Sequence, residues 1–173
     1  MEQSVEGNDY MWQAYMIDLK HPEVCEFIRA VEPAVEKDIQ QASELLLKDN
    51  LDQALAYLKR GAEKNKNDFQ INLMKCYIHR LQKKFTETIH DLETMSAHLQ
   101  KLPTEALTKA ERELRTKKIN ESYALLYNDI AQYLFQQKEY KDAVKIFQEA
   151  KKFKIDDVGI LCNIGDCALV EQG

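Results

Sequence analysis

Asn50-Leu51-Asp52-Gln53-Ala54-Leu55-Ala56-Tyr57-Leu58, Lys84-Phe85-Thr86-Glu87-Thr88-Ile89-His90-Asp91-Leu92 and Glu139-Tyr140-Lys141-Asp142-Ala143-Val144-Lys145-Ile146-Phe147 follow one rule. Each opens on a polar residue, then reads bulky, polar, acidic or amide, small, and apolar on one helical face. Leu51 to Phe85 is 34 residues, as is Leu58 to Leu92, while Phe85 to Tyr140 is 55, which is 34 plus an insertion of 21. A further step of 34 carries Tyr127 to Leu161, Ile130 to Ile164 and Ala131 to Gly165, so a fourth copy begins near Val158. Only its first helix fits before Gly173.

A period of this length is the mark of stacked supersecondary units, none of which buries its apolar face alone. Composition agrees. The 173 residues include only 5 Gly and 3 Pro, against about 7% and 5% in average proteins, too few for an all-β sandwich or a Gly-rich phosphate cradle. A net charge of −5 with 31% charged residues predicts a solvated surface that repels nucleic acid. No apolar run approaches the ~18 residues of a membrane span, and the N-terminus lacks a signal-peptide pattern. A soluble, cytoplasmic protein without membrane attachment is expected. Cys25, Cys76, Cys162 and Cys167 have no framework spacing, as expected of reduced thiols.

The repeat resembles the tetratricopeptide repeat: a helix, a tight turn and a second helix per copy. The third copy carries the resemblance through Tyr127, Ile130, Ala131, Leu134, Tyr140, Ala143, Phe147 and Ala150. Ala131 and Ala143 let two antiparallel helices approach, and the large residues fill the space beside them. The resemblance covers roughly residues 35–173 apart from the insertion, and departs where Lys75 stands at a small position, where Thr88 replaces Ala, and where no Pro follows Ala150. It implies an all-α solenoid of helical hairpins in a right-handed superhelix. Residues 1–34 then form an N-terminal helical segment, the end of a preceding repeat. Residues 35–173 form the array, with an insertion at about 103–122 and a last repeat truncated after its first helix. Within the family, Leu126-Tyr127-Asn128-Asp129, Asn163-Ile164-Gly165-Asp166-Cys167 and Lys20-His21-Pro22 are similar to a member linked to ciliated cells, which implies a cilium or axoneme setting.

Helical spacing of apolar residues predicts a short helix over Asp9–Asp18, a helix from Pro22 that Pro33 bends or breaks, and a restart at Val35. Further helices are expected over Leu51–Lys64, Asp68–Lys83 and Phe85–Leu102. Leu102-Pro103-Thr104 punctuates the chain, with Thr104 as a helix cap. From Thr104 to Gln136 neither Pro nor Gly occurs, which predicts one continuous helix, fusing the insertion to the third repeat. Its first half, with a thin stripe of Leu107, Leu114 and Ile119, is expected to project or be only partly covered.

Catalytic patterns are missing: no phosphate-cradling glycine motif, Gly-x-Ser-x-Gly or His-Glu-x-x-His occurs. No enzyme, cofactor or metal is expected. Cys162 and Cys167 point about 140° apart on a helix, and His79, His90 and His98 read as surface histidines.

The resemblance implies that ligands lie in a concave groove lined by the first helices of successive repeats. Mapped onto this chain, that face holds Ile39, Ser43 and Leu46, then Asn72, Cys76, His79 and Arg80, then Asn128, Gln132, Phe135 and Gln136. Two readings of its polar members stay open: Asn72, His79, Arg80, Asn128, Gln132 and Gln136, with Phe135, contact an extended peptide, or they merely solvate the surface. The carboxylate clamp of co-chaperone members needs basic and amide residues where this chain has Ile39, Ser43, Leu125 and Asp129, which disfavours it. Arg112, Arg115 and Lys118 share one helix face, interleaved with Glu105, Glu111 and Glu113. They form either a solvated face or a basic face for an acidic protein surface.

The expectation is a non-enzymatic scaffold with a protein or peptide partner. Alternatives are a co-chaperone adaptor and the regulatory repeat domain of a larger enzyme. The apolar stripe Ile160, Leu161, Ile164, Ala168 and Leu169 predicts self-association through the C-terminal helix.

Overall fold

A computed structural model describes residues 22–153 together with residues 165, 166, 169 and 170. Among the described residues are six helices: α1 (Pro22–Leu47), α2 (Leu51–Lys64), α3 (Phe69–Leu81), α4 (Phe85–Lys101), α5 (Lys109–Gln136) and α6 (Tyr140–Lys151), with a 3₁₀ turn at Thr104–Ala106 before α5. Successive helices pair as hairpins α1–α2, α3–α4 and α5–α6, and α2–α3 and α4–α5 contacts join the hairpins into one array. The described residues contain no strand. The expected helix over Asp9–Asp18 and most of the fourth copy lie outside the described residues.

One turn, used three times, sets the hairpin angle. Asp49, Lys83 and Lys138 adopt left-handed φ values of 56°, 56° and 65°. In each turn the next amide reaches back to close the preceding helix: Asn50 to Leu45 O at 2.9 Å, Lys84 to His79 O at 2.8 Å, Glu139 to Leu134 O at 3.0 Å. A second bond links Asp49 to Leu46 O, Lys83 to Arg80 O and Lys138 to Phe135 O, each at 3.0 Å. This is the Schellman closure. The three left-handed residues stand 34 and 55 apart, so backbone geometry repeats with the sequence period although none of them is glycine.

Small residues mark the close contacts. Ala54, Thr88 and Ala143, spaced 34 and 55 apart, are all fully buried. Thr88 is tolerated because its hydroxyl donates to Lys84 O at 2.8 Å, so burial leaves no unpaired polar atom. On the first helices the matching set is Ala42, Cys76 and Ala131, at most 2% exposed. The small position of the second copy is therefore Cys76 and not Lys75, whose ammonium reaches Asp91 Oδ1 at 3.3 Å. Gly61 lets α2 meet α3: a Cβ there would lie 2.7 Å from Ile71 Cδ1.

Two expectations about local structure change. Pro33 neither breaks nor ends α1, which runs continuously from Pro22 to Leu47 and across the boundary drawn at residue 34. Pro33 is solvent-exposed, so water can take up the carbonyl that its missing N–H leaves unpaired. The long helix starts at Lys109 and not Thr104, because Thr108 and Glu111 form a reciprocal capping box. From there to Gln136 it is uninterrupted, as the lack of Pro and Gly predicts. Its first half is only partly covered, the second of the two arrangements expected: Ile119 is buried against α4 beside Leu99 and Leu102, while Leu114 faces solvent at 53% exposure.

Candidate functional site

α3 and α5, the first helices of the second and third hairpins, face each other across two adjoining clefts that meet at Arg80. One, about 260 Å³, is lined by Leu73, Met74, Cys76, Tyr77, Arg80, Ser122 and Leu125 and is almost wholly apolar. The other, about 250 Å³, mixes Leu81, Phe85 and Tyr133 with Arg80, Lys83, Asp129, Gln132 and Gln136. Tyr77, Leu81 and Tyr133 are 46–47% exposed there. Large apolar side chains gathered in one groove, rather than scattered singly, mark an interaction surface.

Arg80 is the hinge of the site. Its Nη1 donates to Asp129 Oδ2 at 3.1 Å, an ion pair that crosses from α3 to α5. Its guanidinium carbon lies 5.9 Å from the Tyr77 ring centroid. Burial pushes the Asp129 carboxyl above its ordinary range, and the opposing pull of Arg80 and Lys83 does not cancel it. Two cations thus face one partly dehydrated carboxylate.

Of the predicted groove residues, Arg80, Gln132 and Gln136 come together in the mixed cleft. Asn72 does not: it is 3% exposed, and its amide donates to Lys66 O and Asp68 O at 2.9 and 3.0 Å, pinning the turn before α3. His79 is also buried, with Nδ1 2.6 Å from Asp91 Oδ2, so it is an interhelical link of the second hairpin and not a surface histidine. His90 is exposed and His98 half-buried. Phe135 packs edge-on against Tyr140 at 5.1 Å, and Asn128 is half-buried on α5.

The burial of Asn72 and His79 has one cause, a slip of one residue in the second copy. Steps of 34 and 55 from Ile39 and Ser43 reach Leu73 and Asn128, then Tyr77 and Gln132. The groove positions of α3 are therefore Leu73, Tyr77 and Arg80 in place of Asn72, Cys76 and His79. Carrying the period through Ala42 finds them. Cys76 lies on the buried side, where burial and the nearby Asp91 push its thiol to about 12; a thiol held protonated is no nucleophile at neutral pH.

The basic face is partly covered by neighbouring helices. Arg112, Arg115 and Lys118 are half-buried, with Arg112 turned toward α4 and Arg115 toward α3. Arg112 donates to Leu99 O at 2.8 Å and to Pro103 O at 3.0 Å, capping the carbonyl end of α4. Arg115 stacks over the Phe69 ring at 5.0 Å. With Ser96, Gln100, Thr116 and Asn120, Arg112 also borders a third cleft of about 300 Å³ between α4 and α5. Among the described residues, no three His, Cys, Asp or Glu side chains group as a metal site, and no helix is long and apolar enough to cross a membrane.

The hairpin array on this period is the tetratricopeptide-repeat fold. No family model matches the chain. It is similar to tetratricopeptide repeat protein 16 of Homo sapiens, 23% identical over 154 residues, and to that of Macaca fascicularis, 22% identical over the same length. These alignments take in 89% of this chain and 17% of each relative, so the chain spans about a sixth of the proteins it matches. A solved structure from the functional characterization of Pseudomonas aeruginosa pilF aligns at 13% identity over 83% of this chain and 71% of its own, with a TM-score of 0.41.

Proposed function

We propose that this chain is a non-enzymatic protein-interaction scaffold that holds an extended peptide segment of its partner between α3 and α5. The observation that carries the reading is the convergence of exposed Tyr77, Leu81 and Tyr133 with Arg80, Gln132 and Gln136 along one groove. Aromatic faces supply area at low entropic cost, and amide side chains pair with a peptide backbone. The setting in this reading is a cytoplasmic one, in a ciliary or axonemal assembly, as the resemblance of the sequence phrases around Tyr127 and Ile164 implies. Partner capture from ciliated-cell extract that survives in the parent and is lost in a Tyr77→Glu, Tyr133→Glu variant of equal helicity supports the groove; equal capture by both refutes it. Axonemal enrichment of a tagged chain tests the setting.

Self-association through the C-terminal helix is a second reading. Leu169 is 71% and Val170 42% exposed, and a Cβ on Gly165 would meet nothing within 4 Å; the rest of that apolar stripe lies outside the described residues. Sedimentation at several concentrations, with and without Leu169→Glu, decides it: a parent monomeric throughout refutes the idea.

A further inference from the structure

The insertion lengthens α5 to 28 residues, whereas α6, which packs beside it, has 12. At 1.5 Å per residue, α6 covers about 18 Å of a helix about 42 Å long. Its seat on α5 is the stripe Ala124, Tyr127 and Ala131, set against Ala143, Phe147 and Ala150. That coverage runs to Phe153, whose ring stacks on Tyr123 and Tyr127 at 5.2 and 5.8 Å. Two further steps of four residues carry the same stripe to Asn120 and Thr116, and both border the third cleft, floored by the buried Leu99 and Ile119. The cleft therefore continues, between α4 and the first half of α5, an interface that already seats a helix.

Its polar groups have capacity to spare. Arg112 directs N–H groups to Leu99 O, Leu102 O and Pro103 O, and a guanidinium carries five, so at least two stay unspent. Positions 109, 113, 116, 117 and 120 share one helix face. With Arg112 beside them, Lys109 and Lys117 stand there against Glu113, and both lysines are held only in exposed pairs, at 3.9 and 3.8 Å. In a chain of net charge −5, this cationic face runs against the general field.

We propose that the insertion builds a second docking surface, separate from the α3–α5 groove, for an acidic amphipathic helix of a partner protein lying in line with α6. One bulky aliphatic side chain enters the cleft over Leu99 and Ile119, and carboxylates on the flanks of the same helix meet Arg112, Lys109 and Lys117. A helix fits better than an extended strand because the seat it prolongs is a helix seat, and because the open half of α5, residues 109–122, matches α2 in length at 14 residues. The surface does not depend on the groove reading.

The test is a chemical-shift titration of the isotope-labelled chain with an acetylated, amidated Ala-rich helix of about 14 residues, carrying a central Leu and Glu three and four residues to either side. Companion helices carry Gln or Lys for every Glu, or Ser for the Leu. The Glu helix should move the amides of residues 96–100 and 112–120 and bind at least about threefold tighter than the Gln helix, with the Lys helix weakest and the preference fading as salt rises. Replacing its Leu by Ser should weaken binding about tenfold, as loss of one buried aliphatic side chain implies. Thr116→Glu, at an exposed position, should erase the Glu-over-Gln preference without disturbing the fold, a safer variant than Arg112→Gln, which also removes the brace on α4. The Tyr77→Glu, Tyr133→Glu variant should bind every helix as the parent does. Equal binding of the Glu, Gln and Lys helices overturns the proposal, as does the absence of shifts at 96–100 and 112–120. Shifts at Tyr77, Leu81 and Tyr133 instead would also overturn it and leave the groove reading standing.

Discussion

Arg112 holds the insertion to the second hairpin, and truncating it should loosen that junction selectively. Its two short hydrogen bonds run from a charged donor to Leu99 O and Pro103 O, at 2.8 and 3.0 Å, with a weaker third to Leu102 O at 3.4 Å. Hydrogen bonds to charged groups contribute about 1.5–3 kcal/mol each when sheltered. Because Arg112 is only part-buried, the group is expected to contribute roughly 2–3 kcal/mol in all, below the sum for two sheltered bonds. Arg112→Met keeps the aliphatic stem and removes the donors. In a chain of this size 1 kcal/mol moves the melting midpoint by about 2–4 °C, so a loss of roughly 4–12 °C is expected. Repeat arrays open locally, so hydrogen exchange is the sharper assay. Amides across 99–120 should lose protection while those of α6 stay as in the parent. Arg115→Met, which forfeits the contact over Phe69 and the attraction to Asp68 and Glu111 but no hydrogen bond, should cost less than Arg112→Met. A midpoint within about one degree of the parent and unchanged exchange at 99–120 would refute the assignment of Arg112 as a brace.

Ala143→Trp and Ala131→Trp overpack contacts that are fully buried and should cost about 1–3 kcal/mol or more, with α5–α6 amides exchanging first; thermal melts check this. Lys83→Gly and Lys138→Gly, at φ values of 56° and 65°, should each stabilise by up to about 1 kcal/mol in denaturant melts, because glycine carries no left-handed penalty. At Asp38 burial raises the carboxyl, but its hydrogen bonds and ion pairs with Arg60 and Lys64 outweigh burial and hold it below the ordinary range. The folded form therefore binds its proton less readily than the unfolded one, so this stabilisation is full above the unfolded pKa of about 3.9 and is lost as pH falls through the lower folded value. Asp38→Asn should flatten the acid limb of the stability profile, read by melts between neutral and acid pH. Cys76 should resist alkylation in the folded chain and react only on unfolding, as site-resolved mass spectrometry would show; rapid native labelling would contradict its buried, protonated state.

About half of the groove is legible in the amino-acid sequence. Arg80, Gln132 and Gln136 follow from placing first helices on one face, whereas Tyr77, Leu81, Lys83 and Tyr133 do not. Tyr77 is hidden by the one-residue slip in the second copy. Tyr133 and Leu81 are hidden because a bulky apolar residue in a helical stripe reads as core, and their exposure of 47% and 46% emerges only when the neighbouring helix is in place.

Local chemistry alone determined the period, the three hairpins and their turns, the uninterrupted helix through the insertion, and the close contacts at Ala131 and Ala143. Apart from the period itself, each rests on neighbours a few residues apart in the chain: helical spacing, small beside large, the absence of Pro and Gly. Tertiary packing decided everything that depends on which side of a helix meets another. It made Cys76 and not Lys75 the small contact, buried Asn72 and His79, turned Arg112 onto the carbonyls of α4, and let Gly61 bring α2 against Ile71. A helix turns 100° per residue, so an error of one position moves a side chain from groove to core. Sequence periodicity sets that angle only to within a residue, whereas the close approach of two backbones sets it to within an ångström.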